Sequence, residues 1–168
     1  MSIRKVIFIV GALLMNCMNS FAQDQEAPKG KLIYCSYACD RHAGQGKSYC
    51  ELIADVGKRP QVVVSLYNNC FYRDAVKKTF DVTEKDVERM QELLAEQKVY
   101  LLNGYKHDEA LEGGATYRIY QEYASGDKVN VVWSGHNVKS EARAAYHAIE
   151  NFFAPFVSSV TDASDNGE

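Results

Sequence analysis

The sequence predicts an α+β fold: a single antiparallel β-sheet of about five to seven strands, with two amphipathic helices packed on one face. Three observations lead there. Residues 81–102, DVTEKDVERMQELLAEQKVYLL, carry the clearest helix grammar in the chain. Short β-prone runs punctuated by glycine and proline turns lie on both sides of that segment. A second segment with an apolar stripe, 139–153, comes near the end. Strands joined by short turns run antiparallel, and two striped helices need one shared apolar floor.

The first residues belong to targeting. Arg4 and Lys5 precede an apolar run over 6–15 that is too short to span a bilayer comfortably, and Ser20-Phe21-Ala22 places small residues where a signal peptidase reads. The expectation is a signal peptide over 1–22, cleaved after Ala22, and export to the periplasm or beyond the cell. Two alternatives are a retained anchor and lipoprotein processing at Cys17; Leu14 suits the latter, whereas Asn16 is a poor residue before the cysteine. Cleavage takes two cations and no acids. It leaves 17 Lys and Arg against 22 Asp and Glu, a charge of about −5, where the full chain carries −3. Such a surface has no general pull toward nucleic acid or anionic lipid, and no membrane span follows the signal.

The remaining elements follow in order. Residues 23–30 read as a flexible leader, and 31–157 as one α+β domain. Strands are expected at 31–37, 48–56, 61–68 and 75–82, with 38–47 a loop, 57–60 a Gly-Pro turn and 69–74 a second turn. In the first helix Thr83 is placed to cap, Asp86 to complete a capping box and Val82 to staple onto Val87. Val87, Met90, Leu93 and Leu94 form its apolar face, and Lys98 sits where a cation suits the last turn. Residues 99–102 continue as a short edge strand, and 103–114 form a charged, glycine-rich exposed loop. Strands at 115–124 and 129–134 make a hairpin. The second helix covers 139–153 with Ser140 placed to cap it, buries Ala142, Ala145, Tyr146, Ile149, Phe152 and Phe153, and is ended by Pro155. Residues 158–168 read as a disordered acidic tail.

Four cysteines follow the signal: Cys35, Cys39, Cys50 and Cys70. An even set in an exported chain reads as disulfides. The expected pairing is Cys35–Cys50 with Cys39–Cys70; its rival is Cys35–Cys39 with Cys50–Cys70. A zinc site from Cys35, Cys39, His42 and Cys50 has suitable donors but lacks the tight two-residue spacing. A redox pair would need two residues, not three, between Cys35 and Cys39.

No catalytic motif stands out. Gly46-Lys47-Ser48 ends like a phosphate loop, but position 41 is Arg where the pattern needs Gly, and a strand follows instead of a helix. Ser134 and His136 are sequence neighbours without a nucleophile elbow. His107 stands among Asp108, Glu109 and Glu112 without calcium-loop spacing. No cofactor, metal or catalytic residue is therefore expected. The aromatic content points toward binding. Tyr117, Tyr120, Tyr123 and Trp133 fall on the second hairpin, and Tyr34, Tyr37, Tyr49 and Tyr67 on the first strands. Alternation must turn some of these rings away from the helices, while the others pair across strands in the core.

The ending SFAQ, the helix TEKDVERMQELLAEQKVY and the hairpin TYRIYQEYASGDKVNVVWSG together resemble small uncharacterised exported proteins of Bacteroides-type envelopes. That resemblance implies an envelope or secreted protein and carries no catalytic residues. At fold level the layout is also similar to periplasmic inhibitor-like modules. The expected function is a non-enzymatic module that binds a protein, peptide or glycan through the open sheet face or the 103–114 loop. Tyr117, Tyr120, Tyr123, Trp133, His107 and His136 are the candidate surface. The alternatives are a hydrolase whose site the sequence does not reveal, and a purely structural envelope component.

Overall fold

The computed structural model describes residues 25–41, 47–67, 75–109 and 114–165. The expected signal peptide over 1–22, the Cys17 lipidation site and Cys70, with either bridge expected at it, lie outside them. Among the described residues seven strands form one mixed, mostly antiparallel sheet, and two helices pack on one of its faces. The elements are β1 (Leu32–Arg41), β2 (Lys47–Ile53), β3 (Gln61–Tyr67), β4 (Ala75–Asp81), α1 (Glu84–Glu96), a 3₁₀ turn (Val99–Leu102), β5 (Lys106–His107), β6 (Ala115–Tyr123), β7 (Lys128–Ser134) and α2 (Ser140–Asp165).

The order across the sheet is β4-β3-β2-β1-β6-β7-β5. The first four strands are a meander laid outward from β1. The chain then passes through α1 and adds the β6–β7 hairpin to the other side of β1. β1 is therefore the central strand, bonded to β2 and to β6 along most of its length. Among the described strands only β5 pairs in parallel, setting Lys106 beside Val132 and His107 beside Trp133.

Alternation sorts the strands cleanly. Cys35, Tyr37 and Cys39 of β1, Cys50 and Leu52 of β2, Val62 and Val64 of β3, and Val129, Val131 and Trp133 of β7 face the helices and are buried. α1 contributes Val87, Met90 and Leu94. α2 contributes the whole expected stripe from Ala142 to Phe153. Phe153 stacks on Tyr37 with centroids 5.3 Å apart, and Tyr146 meets Tyr117 edge-on at 4.8 Å.

Helix α1 starts as the sequence requires. The Asp86 carboxylate accepts the Thr83 backbone N–H at 2.8 Å and the Thr83 hydroxyl at 2.7 Å, which holds that carboxyl below its ordinary pKa. Its end differs from expectation. Lys98 lies beyond the last helical residue, in the left-handed region at φ 49. Residues 99–102 then wind into a 3₁₀ turn instead of an edge strand, because Val99 and Leu102 both bury against the core. A strand would turn alternate residues outward.

Three further expectations are corrected. β1 continues through 38–41, which read as loop, because Ala38 to Arg41 pair with 115–118 of β6. Ser140 is the first helical residue and not the cap; the Lys139 carbonyl accepts the N–H of Ala142 at 3.1 Å. Helix α2 does not stop at Pro155 but runs on to Asp165, so 158–165 is no disordered tail. A proline inside a helix removes one hydrogen bond and costs about 3 kcal/mol. Against that cost Val160 is 2 % exposed and Phe156 sits 5.4 Å from Phe80. Burying a Val or Phe side chain contributes roughly 1.5–3 kcal/mol. Packing therefore outweighs the proline. Residues 25–30, read as leader, are tied to the body at Lys29, whose N–H donates to Asp127 at 2.9 Å.

The expected Cys35–Cys50 bridge is not made. Cys35, Cys39 and Cys50 are buried free thiols. The register places Tyr37, not Cys35, opposite Cys50. Cys35 and Cys50 are thus diagonal neighbours, a relation that sets residues roughly 7–8 Å apart and beyond easy disulfide reach. The rival Cys35–Cys39 bridge fails because both lie on β1, four residues apart. Burial pushes the Cys35 and Cys50 thiols up to about 12, as expected of inert core cysteines.

Candidate functional site

The face away from the helices carries the site. Along β1 this face shows Tyr34, Ser36, Ala38 and Asp40, so its middle is lined by two small side chains. The register puts Ser36 between Glu51 of β2 and Tyr120 of β6, and Ala38 between Tyr49 and Arg118. Small residues on the central strand and large ones on both neighbours make a trench. Its walls stand two strand spacings apart, about 10 Å. Ser36 and Ala38 are only 6 % and 5 % exposed, although neither described helix packs on this face. The trench encloses about 420 Å³, within the range of small-ligand sites.

The two walls share one chemical order. β2 presents Lys47, Tyr49 and Glu51; β6 presents Arg118, Tyr120 and Glu122. Both strands run antiparallel to β1, hence parallel to each other, so both walls have their cation at one end and their carboxylate at the other. The tyrosines are fixed. The Tyr34 hydroxyl donates to Glu51 Oε1 at 2.6 Å and lies 2.7 Å from the Tyr49 hydroxyl, which reaches the same carboxylate oxygen at 3.3 Å. Tyr34 also meets Tyr120 edge-on across the trench floor, centroids 5.9 Å apart. Burial, then the Glu51 bond, drives the Tyr34 hydroxyl well above its ordinary pKa, so it stays a neutral donor. Glu122 is paired with Lys128 at 3.2 Å, and that pairing raises the Lys128 pKa. Arg118 is exposed and has no ion-pair partner among the described residues.

The candidate residues separate into two groups. Tyr120 faces the trench. Tyr117, Tyr123 and Trp133 face the helices: Tyr117 stacks on Trp133 at 5.3 Å, and Tyr123 donates to the buried Gln121 at 2.9 Å. They are core. Tyr34 and Tyr49 join Tyr120, as alternation allows, while Arg118, Glu51, Ser36 and Ala38 are not among the sequence candidates and Lys47 stands out there only in the phosphate-loop comparison. The signal was there, since KSYCE and RIYQE both carry a Tyr-x-Glu preceded by a cation, two residues ahead of the tyrosine in each. Only strand pairing shows that the two copies face each other.

His107 and His136 do not converge on a catalytic arrangement. His107 lies on the short strand β5, its Nε2 3.9 Å from Glu109. His136 contributes backbone: its N–H donates to Glu109 Oε2 at 3.0 Å and its carbonyl accepts from Arg143 at 2.6 Å. Glu109 also takes the N–H of Asn137 at 3.2 Å and its side-chain amide at 3.0 Å. These bonds hold its carboxyl below the ordinary range. Asp108 accepts from the Ser134 hydroxyl at 2.7 Å. The acids at the described end of the 103–114 loop are thus bonded to residues 134–137. Among the described residues no three His, Cys, Asp or Glu side chains are placed to hold a metal ion. Cys35, Cys39 and Cys50 therefore form no zinc cluster, and His42 lies outside the described residues. No described helix is long and apolar enough to cross a membrane.

No protein-family model matches this chain, and no curated protein matches it.

Proposed function

We propose that this protein is a non-catalytic, exported binding module that takes its ligand in the trench along β1, on the sheet face left open by the helices. One observation carries the reading: small residues on the central strand lie between two tyrosine-bearing walls, with Tyr34 and Tyr49 already locked by hydrogen bonds. Rigid aromatic anchors around a concavity lose little entropy on binding. A protein, a peptide and a glycan all remain within this reading.

The hydrolase alternative has less support, because the titratable groups near His107 and His136 are spent on loop structure. The test is to fill the trench. Ala38→Trp occupies the floor without touching the helix-covered core. Wild-type protein and A38W are screened on peptide and glycan arrays, with circular dichroism to confirm the fold. Hits that vanish in A38W support the reading. Hits retained in A38W overturn it, as does a wild type that binds nothing on either array and retains no protein from an envelope extract.

A further inference from the structure

Resting on the trench reading, the chemistry of the open face also selects a ligand class. Lys77, Ser65, Tyr49, Ala38, Arg118, Val132 and Lys106 form one transverse row across all seven strands, as the pairings of each strand with the next require. Its three cations, Lys77, Arg118 and Lys106, are exposed and have no ion-pair partner among the described residues. At about 4.8 Å per strand they stand roughly 19 and 10 Å apart along the row.

The acids on the other side of the trench are already engaged. Asp81 pairs with Arg59 at 3.1 Å, Glu122 with Lys128, and Glu51 with the two tyrosine hydroxyls. Asp40 lies 4.0 Å from Lys47, and Glu51 keeps its charge because its partners are neutral hydroxyls. Three cations without an ion-pair partner among the described residues stand against that one carboxylate, so the unmatched charge on this face is positive although the whole chain is acidic. The trench floor and walls add hydroxyl, amide and carboxylate groups from Ser36, Asn130 and Glu51. Carboxylate oxygens accept hydrogen bonds and repel anions.

We propose that an acidic oligosaccharide lies across the sheet along this row, its sugar rings against Tyr49 and Tyr120 where it crosses the trench and its carboxylates on Arg118, Lys77 and Lys106. Only a ligand with both anionic groups and hydroxyl donors suits every part of this surface. A nucleic-acid strand would stack on the tyrosines and meet the cations, but it would face Glu51 and Glu122 with few hydroxyl donors to offer them. An acidic peptide has carboxylates but no comparable set of hydroxyls. It also gains no strand pairing, because β1 is bonded on both sides.

The test is titration calorimetry on the full chain with four probes: oligogalacturonates of graded length, the same oligomers methyl-esterified, oligo(dT) and poly-glutamate. The acidic oligomers bind, their esters bind at least about tenfold more weakly, and affinity falls with salt. Arg118→Gln weakens the acid by about tenfold, and Tyr120→Ala weakens acid and ester alike. Equal binding of acid and ester, tighter binding of oligo(dT) or poly-glutamate, or no binding of any oligogalacturonate overturns the acidic-sugar assignment. A38W separates this from the broader reading. A different ligand that A38W abolishes leaves the trench as the binding face, whereas an oligogalacturonate that binds A38W as well as wild type sinks both.

Discussion

Val160→Ala tests whether helix α2 continues past Pro155 as a structural member. Val160 is 2 % exposed, five residues beyond the proline, in a segment whose composition reads as a solvated tail. Replacing Val with Ala removes two buried carbons, worth about 0.8 kcal/mol each. The space left behind adds a cavity cost, since neighbours relax only in part. The expected loss is about 2–3 kcal/mol. For a domain of this size that lowers the melting temperature by roughly 4–10 °C. Urea denaturation gives the free energy directly, and Ser158→Ala, at an exposed position in the same stretch of helix, serves as the reference. Ser158→Ala should stay within about 0.5 kcal/mol of wild type. Hydrogen exchange at the 160 amide adds a local readout and should show strong protection. A V160A protein as stable as S158A, with a rapidly exchanging amide, would refute the packing argument and return the helix end to Pro155.

Two other predictions follow from the same reasoning. The thiols of Cys35 and Cys50 are raised from 9 to about 12 by burial, so their neutral forms stabilise the fold fully below about pH 9 and that contribution is lost as pH rises toward 12. The urea midpoint should fall across this window, and less steeply in Cys35→Ala; an unchanged slope in C35A would show that the thiol is not the titrating group. Gly135 has φ +87, and a Cβ there would lie 2.5 Å from the Glu109 side chain. Gly135→Ala should cost about 1–3 kcal/mol and speed exchange of the 136 and 137 amides that Glu109 holds; wild-type exchange at both amides would show that Glu109 does not depend on this glycine.

How much of this was legible beforehand depended on the range of the interactions. The α1 cap is written within a few consecutive residues, and the Thr83–Asp86 pairing forms as read. The meander β1 to β4 is set by local turns and period-two alternation. The site was half legible. Alternation promised exposed tyrosines on the sheet, but it could not say that Tyr120 faces outward while Tyr117, Tyr123 and Trp133 face the helices. That choice depends on which side the helices dock.

Local pattern was enough for the fold class, the two helices and their apolar stripes, because each is encoded in spacing along a few turns or one strand. The position of β6 against β1 was not available from it. That pairing joins residues about eighty apart, and no local rule chooses among the open strand edges. Folding in three dimensions placed RIYQE across from KSYCE and made a trench of two separate motifs. It also carried α2 through Pro155, since the side chains that offset the proline find their partners on distant strands.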